Sequence, residues 1–487
     1  MLHASRTSSS LLQTETISNA LEFGKLFKPE FQVLETLIVG NSRELKSWRP
    51  YGGFRMLFKP PEELIMFACP DEVSIEESCI SLVSFPEISF FPRNLRYLII
   101  SEISTLRSLP EEIMDNNSRL ESLYIGYCGS LKFVTKGKLP SSLKSLQIEN
   151  CKNLQHLVDG EHDASAVASS SSFFISYCHS LTFVARQKLP SCTKSLQIEY
   201  CENLQCLVDD EEDAPSSSLS SVTLESLKIR DCPQLTCLSS GIHLLEALED
   251  LHIRNCPKLE SIPKGLHKLQ SIYIKKCPSL VSLAEKGFPN TISHVTISYC
   301  EKLDALPNGM HKLQSLQYLK IKECPSILSF SEEGFPTNLK LIRIGVGVDA
   351  KMYKAVIQWG LHRLTSLMGL SIEECHDAES FPDEEMRMML PSSLTFLILR
   401  RLSKLKYLSS MGFQSLASLE HLLIEDCPNL TSFPEVGLPS SLLSLEIENC
   451  PKLRKQCKRD RGKEWSKIAR IPCVKIDDKF IYDPEAE

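Results

Sequence analysis

Apolar and polar residues alternate along most of the chain in one repeated phrase. It reads Leu-x-x-Leu-x-Ile-x-x-Cys-x-x-Leu, as at Leu143, Leu146, Ile148, Cys151 and Leu154. In the Leu-x-Ile part, two apolar side chains fall on one face of an extended segment and the residue between them falls on the other. Each phrase therefore predicts a short strand with one buried and one open face, followed by a turn near the Cys.

The phrase returns at a nearly constant period. Cys256 and Cys277 lie 21 residues apart, Cys300 and Cys324 lie 24 apart, and from Leu95 onward the phrase can be read fifteen times. This period is typical of leucine-rich repeats, in which each unit buries its apolar layer only by stacking on its neighbours. We therefore predict an α/β-type repeat solenoid. It should be a leucine-rich-repeat horseshoe with a parallel β-sheet on the concave face and mostly irregular or short helical convex segments.

Proline marks the segments that return from one predicted strand to the next. Six prolines lie three residues before the first apolar position of a strand: Pro140, Pro190, Pro289, Pro336, Pro391 and Pro439. Because proline cannot continue a helix and favours extended geometry before it, these segments should be irregular. The apolar spacing between Asp349 and Thr365 predicts a helix as the exception.

The pattern divides the chain into four stretches. We assign residues 1–30 to a poorly defined N-terminal segment, 31–94 to degenerate early leucine-rich repeats, 95–453 to regular repeats and 454–487 to a C-terminal cap and tail. The stretch before Phe31 offers no convincing cap for a solenoid. Residues 127–164 and 177–214 match at an offset of 50, which indicates that two repeats were duplicated as a block.

Cysteine is frequent, with 19 residues in the chain. Twelve of them occupy the same repeat position, namely Cys128, Cys151, Cys178, Cys201, Cys232, Cys256, Cys277, Cys300, Cys324, Cys375, Cys427 and Cys450. Leucine-rich repeats place Asn or Cys there to bond the turn, so a structural ladder of thiols is expected in preference to a metal or redox role.

Composition and motifs argue against several classes of protein. The formal net charge is −7, and no apolar run approaches the length that spans a membrane. The sequence has no phosphate loop, no nucleophile elbow, no His-Glu-x-x-His helix and no dinucleotide-binding glycine motif. We predict that the chain is not an enzyme, has no cofactor or metal site of its own, has no membrane partner, and is made in the cytosol.

Outward-facing positions beside the conserved Ile supply the candidate binding residues. Cations dominate between Leu224 and Leu339, carboxylates dominate further on, and a few apolar residues lie between these blocks. The candidate partner-binding residues of the concave face are Lys228, Arg230, His252, Arg254, Tyr273, Lys275, Lys276, Tyr299, Lys320, Lys322, Arg343, Phe396, Ile398 and Leu423. Strands about 4.8 Å apart would gather these cations on one arc, where an acidic partner could dock. The alternative is that exposed polar residues merely cluster there.

Several phrases resemble one family of proteins. They are Trp359-Gly-Leu-His-Arg-Leu-Thr-Ser-Leu, Leu390-Pro-Ser-Ser-Leu, Leu419-Glu-His-Leu-Leu-Ile-Glu-Asp-Cys-Pro-Asn-Leu, and the ending from Cys450 to Cys473 with its Glu464-Trp-Ser-Lys. The sequence resembles the C-terminal leucine-rich-repeat region of plant disease resistance proteins of the coiled-coil type, the nucleotide-binding leucine-rich-repeat (NLR) receptors. The resemblance covers nearly the whole chain, and the C-terminal block carries its most specific part.

The resemblance implies a non-catalytic recognition module of an intracellular immune receptor, active in plant defence. Its protein ligand would be a pathogen effector or a guarded host protein, and the repeats would restrain a nucleotide-binding domain of the same receptor. ATP or ADP would bind only through that domain, which has no counterpart in this sequence. The acidic partner of the basic arc would then be a separate protein or an acidic domain of the receptor itself.

Other functions remain open at this point. A stand-alone leucine-rich-repeat adaptor or decoy fits the same pattern, and so does a substrate-recognition subunit of a ubiquitin ligase, although no F-box segment is found. Nucleic acid is disfavoured as a partner because the basic arc has few aromatic residues for base stacking and the whole chain is acidic. The expected location is cytoplasmic, with a nuclear location as the minor alternative.

Overall fold

The structure is a computed structural model that describes most of the chain from residue 106 onward. It describes residues 106–109 and 120–481, except for 138, 141, 159–170, 187–188, 190–192, 210–223, 239–244, 264, 284–286, 328–333, 346–360, 377 and 383–388, together with five strands nearer the N-terminus. The chain forms two compact units, residues 1–248 and 249–487. The four stretches assigned from the sequence stay predictions.

Twelve strands are described in the N-terminal unit. They are β1 (Leu2–Ser8), β2 (Leu11–Ile17), β3 (Leu34–Val39), β4 (Glu63–Phe67), β5 (Tyr97–Ser101), β6 (Ser122–Gly126), β7 (Ser145–Glu149), β8 (Ser171–Ser176), β9 (Ala185–Arg186), β10 (Thr193–Glu199), β11 (Val208–Asp209) and β12 (Ser226–Arg230). Strand β1 pairs antiparallel with β2 and β3. Parallel pairing then runs through β3, β4, β5, β6, β7, β8, β10 and β12, while β9 and β11 pair only with each other. The β1–β2 hairpin is an element that the sequence pattern did not predict.

Thirteen strands are described in the C-terminal unit. They are β13 (Asp250–Arg254), β14 (Ser271–Lys275), β15 (His294–Ser298), β16 (Tyr318–Lys322), β17 (Leu341–Gly345), β18 (Gly369–Glu373), β19 (Ser380–Phe381), β20 (Phe396–Arg400), β21 (Tyr407–Leu408), β22 (His421–Glu425), β23 (Ser444–Glu448), β24 (Cys473–Ile476) and β25 (Lys479–Phe480). Parallel pairing runs from β13 through β18 to β20, β22, β23 and β24, and β25 turns back antiparallel on β24. A separate parallel pair joins β19 and β21.

Stacking of identical positions builds the core of each unit. The register sets Leu123 beside Leu146 and Ile125 beside Ile148, and all four side chains have no exposed surface. Each such side chain contributes roughly 1.5–3 kcal/mol by leaving water. A single repeat cannot enclose this layer, so the stability belongs to the stack.

The predicted solenoid of parallel strands is confirmed. Each of the fifteen repeats read from Leu95 onward carries a strand: β5, β6, β7, β8, β10, β12, β13, β14, β15, β16, β17, β18, β20, β22 and β23. The described return segments contain little helix. The short helices are α1 (Ser410–Phe413), α2 (Pro451–Gln456), α3 (Trp465–Ile468) and two 3₁₀ turns, Met310–Lys312 and Leu361–Arg363. Most of the helix predicted between Asp349 and Thr365 lies outside the described residues.

The repeated prolines lead the chain back into the sheet. The carbonyl of Pro140 accepts a hydrogen bond from the N–H of Leu143 at 3.0 Å, and the same bond recurs from Ile292 to Pro289 at 3.1 Å. Each bond closes a turn that ends at the first buried residue of the next repeat. The expectation of irregular return segments at these prolines is therefore confirmed where they are described.

The repeated cysteines form a buried ladder, as predicted. All twelve are buried, and most of their thiols donate to the carbonyl two residues earlier, as Cys128 does to Gly126 at 3.3 Å and Cys450 to Glu448 at 3.2 Å. Burial raises the pKa of the Cys232 thiol well above its usual range, so it stays protonated as a hydrogen-bond donor. Among the described residues, no group of three or more His, Cys, Asp or Glu side chains could hold a metal ion.

A left-handed residue precedes the ladder position in nearly every repeat. The positive φ values lie between 50° and 58° at Tyr127, Asn150, Tyr177, Tyr200, Asp231, Asn255, Lys276, Tyr299, Glu323, Glu374, Arg401, Asp426 and Asn449. The N–H of this residue donates to the neighbouring strand, as Tyr299 does to the carbonyl of Lys322 at 2.8 Å. The left-handed conformation therefore extends the sheet ladder by one bond before the chain turns under it. Most of the repeats accept this conformation with a residue other than glycine or asparagine.

The C-terminal unit ends in a packed cap. The carboxylate of Glu464, which is 7% exposed, accepts hydrogen bonds from the N–H of Phe433 at 2.9 Å and from Nζ of Lys467 at 3.0 Å. A Cβ added at Gly462 would collide with the carbonyl oxygen of Gln456, so this turn requires glycine. In the part of the chain that the structure describes, no helix has the length and apolar character to cross a membrane.

The left-handed turn at Tyr299 can be tested by substitution. Tyr299→Asn should keep or slightly raise the free energy of unfolding, because asparagine tolerates this conformation and already occupies it at Asn255. Tyr299→Val should lower it by about 1–2 kcal/mol, because a β-branched side chain is strained at positive φ. Urea denaturation measures both values.

Thr296→Val is the matched control, because residue 296 lies within strand β15 and valine suits extended backbone. An equal loss at residues 296 and 299 would show that valine acts through side-chain packing and that the left-handed turn is irrelevant.

Candidate protein-binding surface

Alternate residues of each strand point away from the core and form an open surface, here called the strand face. In β16, Tyr318, Lys320 and Lys322 occupy this face and alternate with the buried Leu319 and Ile321. Parallel register then arranges equivalent residues in columns across neighbouring strands. Because adjacent strands lie about 4.8 Å apart, two charged residues in one column are neighbours when their strands are adjacent.

Four of the predicted binding residues form a basic patch on the C-terminal unit. This patch comprises Arg254 of β13, Lys275 of β14, Lys320 of β16 and Arg343 of β17, and all four side chains are partly exposed. Within the described part of the chain, none of the four forms an ion pair. Lys276 follows β14 at the left-handed turn, where it is exposed beside the patch.

The positive charge of this patch is not neutralised by its surroundings. The pKa of Lys320 is lowered, first by burial and further by the charges of Arg343, Lys322 and Lys275, although the nearby carboxylate of Glu373 opposes the shift. A lysine with a lowered pKa is held where its ammonium form is disfavoured. The patch therefore keeps a positive potential that an anion could relieve.

Aromatic and small side chains shape the surface around the patch. The rings of His252 and Tyr273 lie 4.0 Å apart between centroids, and Nζ of Lys275 lies 5.8 Å from the ring centroid of Tyr299. On strand β15 the strand-face positions hold the exposed His294, the half-buried Thr296 and the buried Ser298. Thr296 and Ser298 are smaller than the residues beside them, Tyr273 and Lys275 on β14 and Lys320 and Lys322 on β16.

Lys322, also predicted as a binding residue, is committed to internal contacts. Its Nζ lies 3.3 Å from Glu373 Oε2 and 3.1 Å from Glu374 Oε1, two strands away. The side chain reaches them by crossing Gly345 of β17, where an added Cβ would lie only 2.9 Å from Lys322 Cγ. Glycine at this position therefore makes the ion pairs possible.

Further ion pairs extend from Glu374 along the edge of the sheet where the left-handed turns lie, here called the rim. Nη1 of Arg401 lies 2.8 Å from Glu374 Oε1, and its Nε lies 3.7 Å from Asp426 Oδ2. The amide of Asn449 donates to Asp426 Oδ1 at 3.1 Å. Many of the carboxylates predicted to reverse the charge toward the C-terminal end are thus neutralised by neighbours, and they present less negative charge than the sequence suggested.

Two carboxyl groups meet in this network. A hydrogen bond between Glu323 and Glu374, helped by burial, raises the pKa of Glu323 to about 7. Burial alone would raise the pKa of Glu374, but hydrogen bonds from Glu323, Lys322 and Arg401 lower it to about 2. Oε2 of Glu374 is buried and lacks a partner unless Glu323 carries a proton. The pair therefore shares one proton near neutral pH.

The remaining predicted residues lie in separate places. In the N-terminal unit, Lys228 is exposed, and Arg230 pairs with Asp231 at 2.8 Å and lies 5.4 Å from the ring centroid of Tyr200. In the C-terminal unit, Phe396 is 37% exposed and packs against the His421 ring at a centroid distance of 5.8 Å.

One expectation about the apolar positions is wrong. Ile398 was expected to be an exposed apolar residue, but it is only 6% exposed. In register it lies between Ser371 and Leu423, so side chains of both neighbouring strands cover it. Leu423 is half-buried, and only Phe396 remains as an exposed apolar anchor from this predicted group.

A shallow hollow on the same rim encloses about 420 Å³. Its lining residues are His376, Arg401, Ser403, Asp426, Pro428 and Asn449. The ring Nδ1 of His376 bonds Ser403 Oγ at 3.1 Å, and the other polar groups belong to the network already described. These groups stabilise the rim and leave little capacity for a ligand.

The chain is similar in sequence to plant disease resistance proteins. Residues 111–257 match the family model described as plant disease resistance protein RPS2-like leucine-rich repeats. In this part of the chain the repeats are therefore similar to those of plant disease resistance proteins. A protein of Arabidopsis thaliana named as a disease resistance protein is 29% identical over 422 residues, which make up 85% of this chain and 25% of that protein. The resemblance expected from the sequence is thereby confirmed for the leucine-rich-repeat region, and the chain spans about a quarter of the length of this resistance protein.

Solved structures similar to the chain are also leucine-rich-repeat proteins. YopM from Yersinia enterocolitica is 16% identical, with 88% of this chain and 82% of YopM covered and a TM-score of 0.29. The leucine-rich-repeat domain of the type III effector XopL is 18% identical, with 60% and 73% covered and a TM-score of 0.27. The leucine-rich-repeat regions of resistance proteins are typically non-catalytic.

The shared proton predicts an unusual dependence of stability on pH. The folded-state pKa of Glu323, about 7, lies above the ordinary value of 4.5, so the folded chain binds more protons between these pH values and loses stability as pH rises through them. Glu323→Gln should remove this loss, which solvent screening limits to about 1 kcal/mol or less. Free energies of unfolding at pH 5 and pH 8 measure the difference.

Glu301→Gln, in an exposed return segment, serves as the control and should behave as the unmodified chain does. Glu374 acts in the opposite direction, because its lowered pKa adds stability that is lost as pH falls from 4.5 toward 2. Identical pH profiles for Glu323→Gln and the unmodified chain would contradict the shared proton.

The two lysines of β16 should respond oppositely to removal of their charge. Lys322→Met should lower the free energy of unfolding by about 1–3 kcal/mol, because it leaves Glu373 and Glu374 without their shared cation. Lys320→Met should leave it unchanged or raise it, because an unpaired, partly buried charge is removed. Thermal or urea unfolding of both variants measures the contrast, and equal losses would show that Lys320 is paired after all.

Proposed function

We propose that this chain is the non-catalytic recognition module of a plant intracellular immune receptor. The module binds a protein, either a pathogen effector or a host protein that the effector has modified, and so takes part in the defence response. The observation that carries the proposal is the strand face of the C-terminal unit. There, a patch of unpaired cations is exposed on a rigid stack of strands whose other side forms the core.

The likeness to resistance-protein repeats supports this assignment. In a receptor of the coiled-coil NLR class, the repeats also hold a nucleotide-binding domain in its resting state, and ATP or ADP binds to that domain and not to the repeats. We assign the same restraining role to this chain. Its place of action is the cytoplasm, with the nucleus as a second compartment, and its partners are the recognised protein and the nucleotide-binding domain.

A photo-cross-linking experiment tests recognition through the strand face. Benzoylphenylalanine is placed at Thr296, on the strand face between the lysines of β14 and β16, or at Lys302, which is exposed on a return segment. The two variants are expressed in leaves challenged with pathogen and irradiated. We expect residue 296 to cross-link to an effector or host protein and residue 302 to give little product. Equal labelling from both positions, or none from residue 296, would contradict recognition at this face.

Restraint of the switch domain needs its own test. The 5′ end of the native transcript is mapped first, and a nucleotide-binding domain found in frame with the repeats is expressed in leaves with and without the repeats supplied as a separate chain. Co-expression of the repeats should suppress the cell death that the domain triggers and should co-precipitate the two proteins. Undiminished cell death together with failed co-precipitation would remove the restraining role and leave recognition intact.

A further inference from the structure

We propose that the basic patch docks an acidic segment of a partner protein, a run of about six residues in extended conformation whose carboxylates meet Arg254, Lys275, Lys320 and Arg343. This proposal rests on the proposed recognition function and specifies the chemistry of its ligand. The occupant is a carboxylate-rich stretch of polypeptide on another protein.

The unpaired cations of the patch are complementary in charge to an acidic segment. On strands β13 to β17, the residues that face outward include four cations that form no ion pair with the described part of the chain. Lys322 stands among them and is satisfied by two carboxylates of its own. The fold can therefore neutralise a cation on this face when a carboxylate is supplied nearby. The four residues of the patch have no ion-paired carboxylate in the described part of the chain, and they are available to carboxylates of another protein.

The cations of the patch lower the stability of the fold by repelling one another. Lys320 lies where burial and three neighbouring cations disfavour its charge. Like charges on adjacent strands destabilise a sheet unless a counter-charge compensates them. A bound anion would offset this repulsion, which is the arrangement expected at a binding site for carboxylates.

The spacing of the strands sets the length of the ligand. Four strand intervals, or about 19 Å, separate Arg254 on β13 from Arg343 on β17, and an extended chain rises about 3.3 Å per residue. About six residues therefore cross the patch from one end to the other. Between Lys275 and Lys320 the segment passes over the small, half-buried side chain of Thr296 on β15.

The surroundings favour one position for the segment. Beyond β17, the strand face turns acidic at Glu373 of β18, which with Glu374 already holds Lys322. An acidic ligand displaced in that direction would meet carboxylates and a lysine that are already paired with each other, and it would gain no unpaired cation there. On the other side, the tilted rings of His252 and Tyr273 offer an apolar contact next to the cations. The position of the unpaired cations therefore favours one register of the ligand.

Fluorescence polarisation with the purified full chain tests the proposal. The probe is a fluorescein-labelled ten-residue peptide with five consecutive glutamates, and the reference probe has glutamines in their place. We expect binding of the glutamate peptide at low ionic strength, at least tenfold tighter than the glutamine peptide, and a marked loss of affinity between 50 and 300 mM salt. Absence of binding, or equal binding of both peptides, would overturn the proposal.

Matched variants locate the site. Lys275→Gln, Lys320→Gln and Arg343→Gln together should weaken binding of the glutamate peptide at least tenfold. Lys268→Gln, Lys312→Gln and Arg363→Gln remove the same charge from exposed positions off the strand face and should change it less than twofold. Unfolding temperatures show that both variants are folded. Equal weakening in both would mean that only the overall charge matters and would overturn the assignment to this patch.

A single-stranded oligonucleotide carrying five phosphates is the competing probe. Tighter binding of this probe than of the glutamate peptide would replace the acidic protein segment with nucleic acid as the ligand class and would refute the proposal. If the glutamate peptide fails to bind while residue 296 still cross-links to a partner in leaves, the recognition function stands and only the acidic character of the ligand is wrong.

Discussion

In-register stacking of one short strand on the next is the constraint from which the other properties of this protein follow. Leu and Ile of each repeat are buried only because the same residues of the neighbouring repeats lie beside them. The thiol ladder, the proline turns and the left-handed residues all keep the strand of each repeat in register with the strand of its neighbour. A repeat out of register would expose its own apolar layer and the apolar layers of the two repeats beside it.

The same constraint governs the open side of the sheet. Columns of side chains about 4.8 Å apart force like charges together, so each cation is either paired internally or left as a local positive potential. Lys322 and Lys320 show the two outcomes on one strand. Lys322 forms ion pairs with Glu373 and Glu374, whereas Lys320 forms none in the described part of the chain and has Arg343, Lys322 and Lys275 as well as Glu373 nearby. The proposed binding surface consists of the cations that the described part of the chain leaves without an ion pair.

The sequence predicted the repeating architecture well because the period, the strand pattern and the cysteine ladder are local and recur many times. It also placed Arg254, Lys275, Lys320 and Arg343 on one face, since strand alternation settles which way a side chain points. It could not separate Lys322 from them, because that difference depends on a glycine one strand away and on carboxylates two strands away. Ile398 was misplaced for a similar reason: alternation gives direction, whereas burial depends on the size of neighbouring side chains.

Gly345 has a consequence for how this array can change over evolutionary time. Repeat proteins gain and lose units by unequal exchange between similar repeats, and residues 127–164 and 177–214 bear the mark of such an event. The contact of Lys322 with Glu373 and Glu374 spans a whole repeat and depends on a glycine in the one between. Inserting a unit there would put the partners out of reach, whereas deleting the middle one would bring them onto adjacent strands, where opposite charges can still pair. This stretch of the array therefore resists the gain of a repeat, while repeats that contact only their immediate neighbours carry no such constraint.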